Sequence, residues 1–229
     1  MPGLLEQFGQ IDIYLFDQLL RGRIAPGMRV LDAGCGSGRN LVYLLREGYQ
    51  VFGADSDPQT VESVRRLASS LAPALPADNF RVETVEEMSF PSAFADVVVS
   101  SAVLHFARDD NHFLAMLRGT WRALKPGGLF FCRLASTIGM ESQFQRIQGR
   151  RFLSPDGAER YLVDEALLSS RDAHDWDGPA GFGLSRKLDT STRPAPLPLG
   201  RVVYTRWNLG VCAGSLKAFR SRSFLVQAG

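Results

Sequence analysis

Cysteine is scarce in this sequence: Cys35, Cys132 and Cys212 are all there is in 229 residues. They lie far apart and form no metal-spaced pair. An odd, sparse set excludes a disulfide framework and suits a reducing compartment, so a cytoplasmic location is expected. Long basic runs are also missing, and the net charge is only +2. A dedicated nucleic-acid binder is therefore disfavoured. No apolar stretch reaches the roughly 18 residues a membrane span needs. The first residues, MPGLLEQFGQIDIYLF, carry acids and no basic segment, which excludes a signal peptide.

What the sequence does have is concentrated in residues 28–40, MRVLDAGCGSGRN. A short apolar run ends in Asp32, three glycines follow at alternate positions, and a helix is expected over about 39–47. Val30 and Leu31 suit a buried strand. Gly34, Gly36 and Gly38 let the backbone turn sharply and approach a ligand closely. The N–H groups opening the helix would point at that ligand.

Along the rest of the chain, strands and helices alternate. Residues 4–21 read as a helix with Leu4, Phe8, Ile11, Leu15 and Leu19 on one face. Strands are expected at about 28–33, 50–54, 80–85, 95–101 and 129–135. Asp57-Pro58 opens a helix whose stripe is Val61, Val64, Leu67 and Leu71. A further helix over 110–124 carries Phe113, Leu117, Trp121 and Leu124, and the run Lys125-Pro126-Gly127-Gly128 stops it. The run VVV in the fourth strand suits a parallel strand covered on both faces. Such alternation predicts an α/β fold, a doubly wound and mostly parallel sheet with helices on both faces. The ends of the first and fourth strands should meet at the switch point where ligands bind.

Residues 136–180 form a more polar insert, with a helix expected near 155–169. Residues 182–193 and 200–211 read as an antiparallel hairpin at the sheet edge, which makes seven strands in all. One domain over 1–212 is expected, with 1–27 as a helical lead-in and 136–180 near the active site. The tail 213–229 has no assigned structure.

Common ligands of glycine loops can be tested against the residues. A P-loop needs Gly-Lys followed by Ser or Thr, but Gly38 is followed by Arg39-Asn40. A dinucleotide fingerprint needs a glycine at position 39, which is arginine. Asp32 before the glycines would repel a pyrophosphate and suits a ligand with a positive end. Asp55 follows 23 residues after Asp32, close to the spacing at which an acid grips ribose hydroxyls.

The segments VLDAGCGSG, Asp55, FADVVVSSAVLH and LKPGGLFFCRL together resemble the successive motifs of class I S-adenosylmethionine (SAM) methyltransferases, over residues 28–135. GSGRNLVYLL further resembles the tellurite-resistance branch. The resemblance implies a Rossmann-like methyltransferase fold, SAM as methyl donor with S-adenosylhomocysteine as product, and a small-molecule or oxyanion acceptor. It implies that Asp32 and the backbone of Ala33, Gly34 and Gly36 face the methionine tail, bordered by Ser100 and Ser101. Asp55 and Ser56 would meet the ribose. Many relatives place an acid for the adenine amino group after the third strand; here Thr84 and Val85 stand there, with Glu86 and Glu87 following. Thr84 or Glu86 would make that contact.

In-line methyl transfer needs positioning more than a fixed catalytic group. His105, past the fourth strand, is the candidate base; the alternative is a packed or solvent-facing loop histidine. Arg133, in the apolar run FFCRLA, needs an anionic partner, either a substrate carboxylate or an acid such as Glu141. Tyr14 could close over the SAM tail or simply pack. Arg39 reads as a surface salt-bridge former, His174 as a surface residue, and Cys35 as no nucleophile. No metal site is expected, the WDGPAG stretch at 176–181 included. Two other classes stay open: a nicotinamide-dependent oxidoreductase on a related fold, and a SAM-binding protein without activity.

Overall fold

The computed structural model describes residues 3–138, 141–164 and 166–167, and the backbone of 202–204, 209–210 and 219–227. At its centre lies β1 (Arg29–Ala33), flanked in parallel by β2 (Gln50–Asp55) and β4 (Ala95–Ser101). Outside these run β3 (Phe80–Val82) and β5 (Leu124–Ala135). The parallel order is β5-β4-β1-β2-β3, so the chain reverses direction across the sheet at the β1–β4 pair.

Alternate residues of each strand serve opposite faces. Val30, Val97, Val99 and Phe131 pack with Leu15 of α2 (Ile13–Leu20), Leu44 and Leu45 of α3 (Val42–Arg46), and Val61 and Val64 of α4 (Pro58–Leu71). Leu31, Val98 and Phe130 pack instead with Phe113, Met116 and Leu117 of α5 (Asp110–Arg122). Both faces are therefore covered, as the VVV run requires. Asp57 caps α4 by accepting from the Gln59 N–H, and Pro58 sits in its first turn.

Several expectations are corrected. The lead-in is two helices, α1 (Leu4–Phe8) and α2, because Gly9 turns at φ 62°. Leu4 consequently lies 77% exposed instead of on a buried stripe. The helix after the glycine loop starts at Val42, three residues late, because Leu41 N–H is taken by Gly38 in a turn. β5 begins at Leu124 and runs through the Pro-Gly-Gly segment. β3 ends at Val82, and a short 3₁₀ turn covers Val85–Glu87.

The insert carries no helix at 155–161. Residues β6 (Gln145–Gln148), β7 (Arg151–Leu153) and β8 (Glu159–Tyr161) form a separate antiparallel sheet. Buried Phe152 and Leu162 join Phe144 and Ala135 there in a small core. The expected edge hairpin is also revised. Its first arm, 182–193, lies outside the described residues. In the span of its second arm, β9 (Val202–Tyr204) and β10 (Leu209–Gly210) pair separately with β11 (Phe219–Gln227). β11 lies antiparallel beside β5, so the unassigned tail supplies the strand next to the parallel sheet. The main sheet then counts eight strands among the described residues, not seven.

Candidate functional site

A cleft of about 870 Å³ opens at the carboxyl ends of the parallel strands, at the switch point. Gly34, Gly36 and Ser37 of the glycine loop form one wall, with Arg39 and Asn40. Asp55, Ser56, Thr84, Val85 and Glu86 continue it. Ser101, Ala102, His105, Arg133 and Arg160 also line the cleft.

The loop is held from behind. The N–H groups of Gly34 and Cys35 both donate to the Ala54 carbonyl, at 2.8 and 3.0 Å. Gly36 N–H donates to Asp55 Oδ2 at 3.0 Å, and Asp57 N–H to Asp55 Oδ1 at 3.1 Å. Asp55 thus ties the loop to the start of α4. Gly34 is at φ +81°, and a Cβ there would lie 2.3 Å from Val103 Cγ2. Glycine is what lets the loop touch the turn after β4. Ala102, at φ 67°, makes that turn, and its N–H donates to the Arg133 carbonyl at 2.8 Å.

Asp32, at the end of β1, is 1% exposed, and neither carboxylate oxygen meets a donor among the described residues. Burial pushes its pKa up to about 8, with Arg39 opposing and Asp55 adding to the rise. A buried acid without a donor, just behind the loop, suits a cationic ligand group.

The adenine-side candidates come together. Thr84, Val85 and Glu86 all line the cleft. Glu86 Oε1 lies 2.9 Å from His112 Nε2, while His112 Nδ1 accepts from the Arg108 N–H at 3.1 Å. That second bond makes Nε2 the donor. Burial raises the Glu86 pKa, but its own backbone N–H, the His112 ring and the Arg108 charge outweigh this and hold it below the ordinary value. Asp109 caps α5 through the His112 N–H at 2.8 Å, which aims the ring.

His105 and Arg133 both line the cleft. Burial, then the charges of Arg160 and Arg133, push the His105 pKa down to about 4. The ring is therefore neutral at pH 7. Arg133 pairs with Asp12, at 2.9 Å. Asp12 also caps α2 through the Tyr14 N–H, and its own N–H donates to Asn40 Oδ1. Arg39 is exposed, as expected, and donates to Ser101 Oγ at 3.0 Å. Four candidates are placed elsewhere. Asp32 and Ala33 are buried in β1, Ser100 is buried in β4, and Tyr14 packs in the core around α2, none of them among the cleft-lining residues. Burial raises the Cys35 thiol pKa far above neutrality, which keeps it unreactive. His174 and residues 176–181 lie outside the described residues.

Asp12, Asn40, His112 and Arg160 were not singled out from the sequence. A cap box around Asp109 and the proximity of Asn40 to the glycines were the available signals. Arg160 had none, since its place depends on a sheet where a helix was expected.

Residues 31–132 match the model of a family described as a methyltransferase domain. The chain is 35% identical over 117 residues to a ubiquinone biosynthesis O-methyltransferase of Methylocella silvestris, covering 49% of this chain and 43% of that protein. It thus spans less than half of that relative. Among solved structures, it resembles a SAM-dependent methyltransferase from Methanosarcina mazei with a TM-score of 0.65 and 18% identity, over 92% of this chain and 96% of that one. It also resembles the 1,6-didemethyltoxoflavin-N1-methyltransferase of Burkholderia thailandensis with bound S-adenosylhomocysteine, with a TM-score of 0.59 and 15% identity, over 97% and 80% of the two chains. No helix among the described residues is long and apolar enough to cross a membrane. Residues 31–132 thus match a methyltransferase-domain model, and the α/β fold around them is shared with these two solved structures.

Proposed function

We propose that this protein transfers a methyl group from SAM to a small-molecule acceptor. The carrying observation is Asp55 at the cleft wall, clasped to Gly36 of the glycine loop. Asp32 is buried at the end of β1 behind that loop, without a donor among the described residues. A ligand with a ribose diol satisfies Asp55, and an ammonium end held at the loop lies on the side of Asp32. Gly34, Gly36 and Asp32 would hold the methionine tail, bordered by Ser101. Asp55 and Ser56 would hold the ribose. Thr84, Val85 and Glu86 would hold the adenine, Glu86 being kept ionised for an amino donor by His112.

When bound, SAM supplies an electrophilic methyl on sulfonium; its carbon–sulfur bond breaks as the acceptor's lone pair bonds to that carbon. The residues' task is to orient the acceptor and exclude water. A neutral His105 of low pKa is a weak base. Its role is to accept a hydrogen bond from the attacking group and aim it. The relatives' names support small acceptors, with oxygen or nitrogen as the attacking atom. The likeness of residues 36–45 to the tellurite-resistance branch adds inorganic oxyanions to that class.

Titration calorimetry with S-adenosylhomocysteine tests the reading. The Asp55→Ala variant should lose on the order of 1–3 kcal/mol of affinity. Unchanged affinity removes the proposed ribose contact. Thermal protection by NADH, with none by SAM, would replace the reading with an oxidoreductase.

A further inference from the structure

The lining of the cleft holds two acids, Asp55 and Glu86, and four arginines, Arg39, Arg108, Arg133 and Arg160. Arg39 donates to Ser101 Oγ, and the Arg108 charge acts on Glu86. Arg133 lies in β5 and Arg160 on β8, and His105 lies in the turn Leu104–Phe106, which packs against both strands. Both guanidinium charges are felt by the His105 ring. Each is oriented by an acid that does not line the cleft. Asp12 holds Arg133 at 2.9 Å, and Asp156 holds Arg160 through two bonds of 2.8 Å. His105 contributes no charge of its own at neutral pH. Beside it, Phe106 is 67% exposed with its ring centroid 4.4 Å from the imidazole, and Leu134 and Ala135 line the same wall.

We propose that the methyl acceptor enters as an anion, a flat apolar molecule whose carboxylate is received by Arg133 and Arg160 while its body lies against Phe106. The inference rests on reading this cleft as the methyl-transfer site and adds the chemical class of the acceptor. Planar forks suit carboxylates because they offer parallel N–H donors. Anchoring acids fix the forks in advance, so little side-chain entropy is lost on binding. The small antiparallel sheet thereby acquires a function: it brings Arg160 to the cleft. A neutral His105 also fits, since it can accept a hydrogen bond from the attacking group beside two cations.

The test begins with S-adenosylhomocysteine binding, measured alone, which judges the cofactor reading by itself. Then 4-hydroxybenzoate and 4-hydroxybenzamide are titrated in parallel, with and without S-adenosylhomocysteine. The acid should bind about tenfold or more tightly than the amide. Arg160→Gln should abolish that preference while leaving the melting temperature and S-adenosylhomocysteine affinity unchanged, because its partner Asp156 is solvated. Arg133→Lys, which keeps a cation against Asp12, should reduce the preference several-fold. Equal binding of acid and amide, no binding of either, or a preference that survives Arg160→Gln overturns the proposal. A failure of S-adenosylhomocysteine to bind, with the acid still preferred, overturns the cofactor reading and leaves the anion site standing.

Discussion

Asp32 shows how a residue's identity and its surroundings make separate statements. An acid before the glycines speaks against a pyrophosphate on charge alone. Only the packed structure shows that it is buried without a donor. Such a carboxyl holds its proton in the fold from its ordinary value of 3.8 up to about 8. The folded state then binds more protons than the unfolded chain, so stability falls as pH rises through that range. His105 works the other way at lower pH. Its folded pKa of about 4 lies below the ordinary 6.5, so stability is gained as pH rises between them. Thermal melts between pH 7 and 8 therefore isolate Asp32. The ligand-free protein should lose stability across that window, and Asp32→Asn should flatten the slope. Parallel slopes for the two proteins would show that Asp32 is ionised and solvated.

At the scale of elements, the 3₁₀ turn at 85–87 is placed by the helix beneath it. A Cβ at Gly119 of α5 would lie 2.2 Å from the Val85 carbonyl oxygen and 2.9 Å from Glu86 Cα. Both contacts are backbone, so a flexible side chain cannot yield. Gly119→Ala should cost on the order of 1–3 kcal/mol in denaturant unfolding. It should also weaken S-adenosylhomocysteine binding, because the turn that carries Glu86 must move. Lost stability with full affinity would separate the turn from the site. The parallel strands and α4 and α5 were legible in the sequence because their apolar periodicity is strong and their caps are conventional. The break at Gly9 was not, since a stripe spaced by three and four continues across it. The insert was misread because an alternation as short as Arg151-Phe152-Leu153 is outweighed by helix formers around it, until Ala135 and Leu162 supply a surface to pack on.

Across the whole molecule, Asp12 joins parts that are far apart in sequence. It caps α2, meets Asn40 of the loop segment and pairs with Arg133 of β5, 121 residues away. Its side chain is 1% exposed and that of Arg133 26%. Arg133→Met leaves a buried charge uncompensated and should cost about 1–3 kcal/mol, less than a fully buried pair because Arg133 is partly solvated. Asp12→Asn with Arg133→Met should recover part of the loss, and a double-mutant cycle by denaturant unfolding reads the coupling. Additive losses would mean the two groups stabilise the fold independently. The sequence by itself determined the parallel α/β core, the glycine turn and the two acids on it, because these follow from local periodicity, backbone freedom and charge. The tertiary structure decided which groups share the cleft. It paired Arg133 with Asp12, set Arg39 on Ser101, set His112 on Glu86, brought Arg160 in on an antiparallel sheet and left Tyr14, Asp32, Ala33 and Ser100 outside the cleft lining. Such pairings arise from packing between distant segments, and no local pattern along the chain encodes them.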